Sequence, residues 1–147
     1  MMQIVPFAPD HRADWDRLYA GYAEFYRVTQ TPEMRDRVWS WLMDTGHEVN
    51  GFIALDDGGA AIGLTHYRPF ARPLSASTGG FLDDLFVDGA ARGAGAADAL
   101  IAAVVDVGRA KGWTVIRWIT AEDNARARKV YDRLATKTAW VTYDIKL

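Results

Sequence analysis

The sequence predicts an α/β fold in one domain spanning residues 1–147. Three observations support this. An apolar run at 81–87 leads through a glycine-bearing loop into Ala99, Leu100, Ile101, Val104 and Val105 at helical spacing. Asp56-Asp57-Gly58-Gly59 separates two apolar segments as a hairpin turn would. Two further segments, near 14–26 and 124–135, carry the helical period, and no repeat or linker divides the chain. Half of the residues are hydrophobic and six are tryptophan, so a packed core is expected rather than disorder.

In chain order, 2–7 reads as a short strand ended by Pro9. Trp15, Leu18, Tyr19, Tyr22 and Phe25 or Tyr26 recur at i, i+3, i+4 and i+7, the mark of an amphipathic helix. Thr31 caps a second helix, with Pro32 at its first position and Glu33 in its first turn; it continues through Val38, Trp39 and Leu42 to a stop near Gly46. Residues 49–55 and 60–67 pair as antiparallel strands, and 69–80, rich in proline, serine and glycine, reads as a loop. The helix after the glycine loop ends at Arg109, Lys111 and Gly112. A strand at 114–120, a helix near 124–135 and a closing strand pair within 138–147 complete the chain.

The stretch Arg92-Gly93-Ala94-Gly95-Ala96-Ala97 joins a strand to a helix. The first N–H groups of a helix lack intrahelical partners and sit at its positive end, which suits a phosphate. Glycines let the backbone approach such an anion closely. The loop is not a Walker A motif, because no Lys-Ser or Lys-Thr follows the glycines. A dinucleotide fingerprint would want Gly or Ala at Asp98 and an acid at the end of the next strand, which closes on Thr120 instead. The glycines alone leave a ligand-free tight turn open.

Composition excludes several function classes. A net charge of −2 offers no general attraction for nucleic acid or an anionic membrane. No apolar run approaches the ~20 residues of a membrane span, and no signal-peptide pattern opens the chain. Cysteine is absent, which removes disulfides, thiolate metal sites and a covalent cysteine mechanism and suits a cytoplasmic location. His11, His47 and His66 lack metal-ligand spacing, so no metal is expected.

Residues 92–97 match the acetyl-CoA pyrophosphate loop (Q/R)-x-x-G-x-(G/A) of the GNAT superfamily of N-acetyltransferases. Asn124-Ala125-Arg126-Ala127-Arg128-Lys129-Val130-Tyr131 resembles that family's second signature, an asparagine followed seven residues later by tyrosine. The element order β-α-α-β-β-β-α-β-α-β-β is similar to the family's over nearly the whole sequence. The resemblance implies a mostly antiparallel sheet splayed between its fourth and fifth strands, with flanking helices. It further implies that Arg92, Gly93, Ala94, Gly95, Ala96 and Ala97 hold the pyrophosphate of acetyl-CoA. Backbone groups of Leu85, Phe86 and Val87 and the side chain of Asn124 would then meet the pantetheine arm, with Tyr131 beside the thioester sulfur. Asp83-Asp84-Leu85-Phe86-Val87 resembles the Glu-Asp-aromatic-aromatic-Val stretch of polyamine acetyltransferases, in a polyamine- and histone-acetyltransferase-like branch, where the acidic pair binds and deprotonates the amine. Asp83 stands where that stretch has a glutamate and is one methylene shorter. The family's acceptor pocket implies roles for Tyr22, Tyr26, Trp39 and residues 69–77, and family members often dimerise.

The residue chemistry agrees with these roles. Positions seven apart on a helix share a face about 10 Å apart, so Asn124 and Tyr131 look into one cleft with small Ala127 between them. A phenol, with an ordinary pKa of ~10, remains a proton donor at pH 7 and can protonate a departing thiolate. Tyr131 also fits an apolar stripe with Val130 and Leu134, and Asn124 also fits a helix cap. Adjacent residues of a regular strand face opposite ways, so one of Asp83 and Asp84 is expected to line the cleft. The expected activity is acetyl transfer from acetyl-CoA to a primary amine by direct attack in a ternary complex. The amine would be a polyamine, a lysine-like small molecule or a basic peptide, and Asp83, Asp84 or a water relay the base. A non-catalytic acyl-CoA-binding regulatory domain of the same fold is the alternative, and another nucleotide-binding α/β domain a third reading.

Overall fold

A computed structural model describes residues 1–147. Its elements are β1 (Gln3–Pro6), α1 (Arg12–Phe25), α2 (Pro32–Met43), β2 (Asn50–Leu55), β3 (Ala61–Arg72), β4 (Ser77–Val87), α3 (Ala96–Lys111), β5 (Ile116–Arg117) and α4 (Ala125–Leu134). The strands form one sheet in the order β1-β2-β3-β4-β5, antiparallel except for the parallel β4–β5 pair. No helix is long and apolar enough to cross a membrane.

Local chemistry sets most boundaries. Thr31 accepts a hydrogen bond from the Met34 N–H at 3.2 Å, and Pro32 occupies the first position of α2. Asp56 Oδ1 accepts from the N–H groups of Gly58 and Ala60, both at 2.9 Å, which closes the β2–β3 turn. Gly112, at φ 74°, ends α3 in the left-handed conformation.

The helices cover both faces of the sheet. Trp15 and Leu18 of α1 pack on Ile53, Ala61 and Leu64, with Val38, Trp39 and Leu42 of α2 against them. On the opposite face, Ala96, Leu100, Ile101 and Val104 of α3 cover Ala54, Ile62, Tyr67 and Leu82. β3 is therefore buried on both sides from Ala61 to Tyr67, and its only strongly polar side chains there, Thr65 and His66, are buried as well.

Three expectations are corrected. Residues 69–80 are mostly sheet: β3 and β4 stay paired out to Arg72↔Ser77, around a single turn of 3₁₀ helix at Pro73–Ser75. Pro69 is tolerated because its partner Gly80 points its N–H the other way, to the Val115 carbonyl at 2.9 Å. The pair makes no mutual ladder bond, and β2 does not extend alongside Pro69, so no hydrogen bond is lost. Gly79 and Gly80 leave room for rings rather than making a turn: a Cβ on Gly80 would lie 2.5 Å from the Trp113 ring. Second, the strand expected at 114–120 shrinks to Ile116 and Arg117, paired with Gly80 and Phe81. Third, the closing strand pair is absent; residues 136–147 form no regular structure and are exposed.

The β3–β4 ladder carries one more irregularity. His66 pairs with Asp84 and Tyr67 with Leu82, so Asp83 is an extra, bulged residue on β4. Downstream of the bulge the alternation resets, with consequences for the acidic pair.

Gly80→Ala should destabilise the protein by about 1–3 kcal/mol through overpacking against Trp113 and Ile116. Gly89→Ala, whose Cβ would meet open space, should stay within about 0.5 kcal/mol. Urea unfolding of both variants checks the contrast.

Candidate active site

Beyond Phe81, β4 and β5 part, and α4 does not close the gap. A cleft of about 440 Å³ opens there, walled by Leu85, Phe86 and Val87 of β4 on one side and by Asn124, Ala127, Val130 and Tyr131 on the other. Its end is formed by Arg92, Gly93, Gly95, Ala96 and Ala97, so every residue expected to hold acetyl-CoA borders this space except Ala94. The Ala94 N–H instead turns back to the Ala91 carbonyl at 3.4 Å.

The loop is open at its amides. Gly93 and Gly95 take φ of 92° and 83°, values that a side chain would strain. Gly95 caps α3 without offering a side-chain acceptor. The N–H groups of Gly93, Gly95, Ala96 and Ala97 find no acceptor within the protein. Four donors therefore converge at the positive end of a sixteen-residue helix, beside the Arg92 and Arg126 side chains. Arg92 also lies 5.4 Å over the Phe25 ring. Arg133, at the rim, grips Asp98 with two bonds of 2.9 and 3.1 Å, tying α4 to the start of α3. That grip holds the Asp98 carboxyl below its ordinary range. Arg128 turns away to the Glu122 carbonyl.

Asn124 caps α4 and lines the cleft. Its side-chain oxygen caps α4 at the Ala127 N–H (3.4 Å), while its amide donates to the Tyr26 hydroxyl (3.3 Å) on the cleft wall. Tyr131 likewise belongs to core and cleft. Its ring stands edge-on to Trp118 at 5.4 Å, and burial, with neighbouring Tyr26 adding, pushes its pKa up to about 12. The phenol therefore keeps its proton throughout the neutral range.

The acidic pair departs from expectation. Because Asp83 is bulged, Asp83 and Asp84 both serve the α1 face: Asp83 pairs with Arg68 at 3.0 Å, and Asp84 meets Tyr19 and His66. The Tyr19 hydroxyl donates to Asp84 at 3.0 Å, and His66 Nδ1 lies 2.8 Å from the same carboxylate oxygen. The Trp15 indole N–H, which can only donate, points at His66 Nε2 at 3.0 Å. Nε2 is therefore the acceptor, and the hydrogen-bond network assigns the imidazole proton to Nδ1, directed at Asp84. Burial opposes the charge on Asp84, but hydrogen bonds from His66, Tyr19 and Tyr22 outweigh it and keep the carboxyl below the usual range. For Asp83 burial dominates and pushes the pKa up, with Arg68 only partly opposing. Two neighbouring acids thus have opposite proton affinities.

Sequence reasoning missed Tyr19 and His66 as partners of the acids. The available signal was a lone histidine inside an apolar strand. Among the aromatics assigned to an acceptor pocket, Tyr26 lines the cleft, and Tyr22 lies tilted against Tyr26 (4.8 Å) and edge-on to Phe86 (6.0 Å). Trp39 belongs to the core beside Trp15 and Phe7. The 70–75 segment borders a different depression, shared with Arg117. No three His, Asp or Glu side chains come together as a metal site would require.

The acetyltransferase (GNAT) family model matches residues 15–135, which includes the glycine loop, both acids and α4. The chain belongs to the GNAT family. The family match and its named relatives make the chain an acetyltransferase. D-amino-acid N-acetyltransferase HPA3 of Saccharomyces cerevisiae is 28% identical over 136 residues, covering 92% of this chain and 84% of that protein. A solved structure of a probable acetyltransferase aligns with a TM-score of 0.86 at 26% identity, over 99% of this chain and 97% of the other. The aminoglycoside N-acetyltransferase AAC(6')-Iy, solved in complex with CoA, aligns at 0.85 and 25% identity, over 99% and 95%.

The depressed Asp84 pKa implies a stability contribution that is full above the unfolded carboxyl value of ~4 and is lost as pH falls through the lower folded value. Asp84→Asn should cost about 2 kcal/mol at pH 7. The gap to the parent should narrow below pH 4, as read by urea unfolding from pH 3 to 7. An equal gap at both ends would show that the charge is not what stabilises.

Proposed function

We propose that this protein transfers an acetyl group from acetyl-CoA to a primary amine by direct attack in a ternary complex. The observation that carries this reading is the convergence on one cleft of four unpaired amides, the open edge of β4, Asn124 and the Tyr131 hydroxyl. Acetyl-CoA supplies the acetyl group as a thioester. The residues fit it: the amides of 93 and 95–97 with Arg92 would hold its phosphates, and Asn124 with the open edge of β4 its amide-bearing arm. β4 edge N–H groups aimed at the thioester carbonyl would stabilise developing negative charge there, an effect worth a few kcal/mol. Tyr131, neutral at working pH, would give its proton to the departing sulfur.

The acceptor amine must arrive near β4 and lose a proton before attack. Asp84, held anionic, supports attraction of an ammonium, and the tyrosine rings around it favour a cation. Asp83, with its raised pKa, is the better proton acceptor of the two, directly or through water. Polyamines, lysine-like amines and basic peptides share the chemistry this arrangement recognises. HPA3 acting on D-amino acids and AAC(6')-Iy on aminoglycosides are in keeping with an amine acceptor.

Saturating acetyl-CoA at 100 times Kd should stabilise the fold by about 2.7 kcal/mol in a thermal-shift assay. Free-thiol release with a panel of polyamines, amino acids and basic peptides tests the reaction. Binding without thiol release from any of them would favour a regulatory acyl-CoA-binding domain. Tyr131→Phe should lower kcat by about 10²–10⁴ while leaving acetyl-CoA affinity nearly unchanged.

A further inference from the structure

Asp98 is the one acid bordering the cleft, and it stands in the first turn of α3, directly after the unpaired amides of Gly95, Ala96 and Ala97. The placement is awkward for an anion site. A carboxylate here uses the same helix-end field that a phosphate would use, and this one already faces its own N–H. Its negative charge would also repel a pyrophosphate held by the loop.

Arg133 answers that charge. Of the three arginines bordering the cleft, it alone has a carboxylate partner, while Arg92 and Arg126 form no ion pair. Its two bonds to Asp98, 2.9 and 3.1 Å long, run from the last turn of α4 to the first turn of α3. Stability does not explain the pairing. The Arg133 side chain is 58% exposed and that of Asp98 38%, and ion pairs so open to water contribute little to a fold. What the pair does change is the field at the glycine loop. With Arg133 in place the Asp98 charge is cancelled, and Arg92 and Arg126 set the sign; without it, one of those two charges is offset. This argument rests on the reading of the cleft as an acetyl-CoA site. We infer that Arg133 is a positioning residue for that site, a counter-ion that acts through Asp98 by holding its carboxylate toward α4 and cancelling its charge, so that a pyrophosphate is admitted. In this role Arg133 touches no phosphate, and the amides with Arg92 do the holding.

Calorimetric titration of acetyl-CoA into the parent, Arg133→Gln, Asp98→Asn and the double variant measures the coupling. Both side chains are exposed, so every variant should fold. A unit charge about 8 Å from two phosphate charges in water changes binding about three- to tenfold. Arg133→Gln should therefore raise Kd by that factor at low salt, and Asp98→Asn should lower it. The double variant, neutral at both positions, should return to within about twofold of the parent. These differences should collapse near 1 M salt, where charges are screened beyond about 3 Å. Two single variants that shift Kd in the same direction would overturn the inference, because the bridge would then be only a tie between helices. A double variant as weak as Arg133→Gln would overturn it too, by placing Arg133 on the phosphates directly. Unchanged Kd in all three variants would leave the pair without a part in binding and so refute it. A parent that takes up no acetyl-CoA would sink the reading of the cleft itself, whereas a parent that binds without coupling sinks only the role of Arg133.

Discussion

β4 has two edges, and the structure depends on using only one of them fully. Along β3 it is paired from Ser77 to Val87; along β5 it is paired only at Gly80 and Phe81. Past that point its outer N–H and C=O groups have no strand partner, and backbone groups left so carry a free-energy cost unless something else bonds them. The same parting of strands creates the cleft, sets α4 opposite β4, and places Tyr131 and Asn124 on the cleft wall. Gly79 and Gly80 hold the junction: the rings of Phe70 and Trp113 occupy space that any side chain there would take. The cleft is thus an unfinished part of the sheet.

The second constraint is electrostatic. A buried carboxylate is tolerated only when its oxygens are bonded, and Asp84 is surrounded by donors: His66, Tyr19 and Tyr22. Trp15 lies behind His66 and determines which nitrogen carries the proton. One residue away Asp83 leans toward solvent and Arg68, and its proton affinity moves the opposite way. The difference arises from a single inserted residue in the ladder. Without the bulge the two acids would face opposite sides of the sheet, and one of them would point into the apolar layer under α3.

Where signals were local, the sequence was readable. The Thr31-Pro32 cap, the Asp-Asp-Gly-Gly turn, the Gly112 stop and the helical periods of α1, α3 and α4 all lie within a few residues of what they control. The glycine loop belongs to this group, since Gly93 and Gly95 need their left-handed φ whatever surrounds them. Gly79 and Gly80 carry the same letters with another meaning. Their reason is a ring packed on each from another segment, Phe70 across the ladder for Gly79 and Trp113, more than thirty residues away, for Gly80, and so a stretch that looked like a loop is a strand.

By itself, then, the sequence determined which segments are helices, where a glycine loop opens the start of α3, and that Asn124 and Tyr131 share a face. Each follows from short-range backbone geometry. Tertiary structure decided where β5 stops, how Asp83 is bulged, which donors surround Asp84, and that residues 139–147 find no partner within their own chain. These are matters of pairing between distant segments. Strand register and burial depend on which edges meet, and no local pattern encodes that choice.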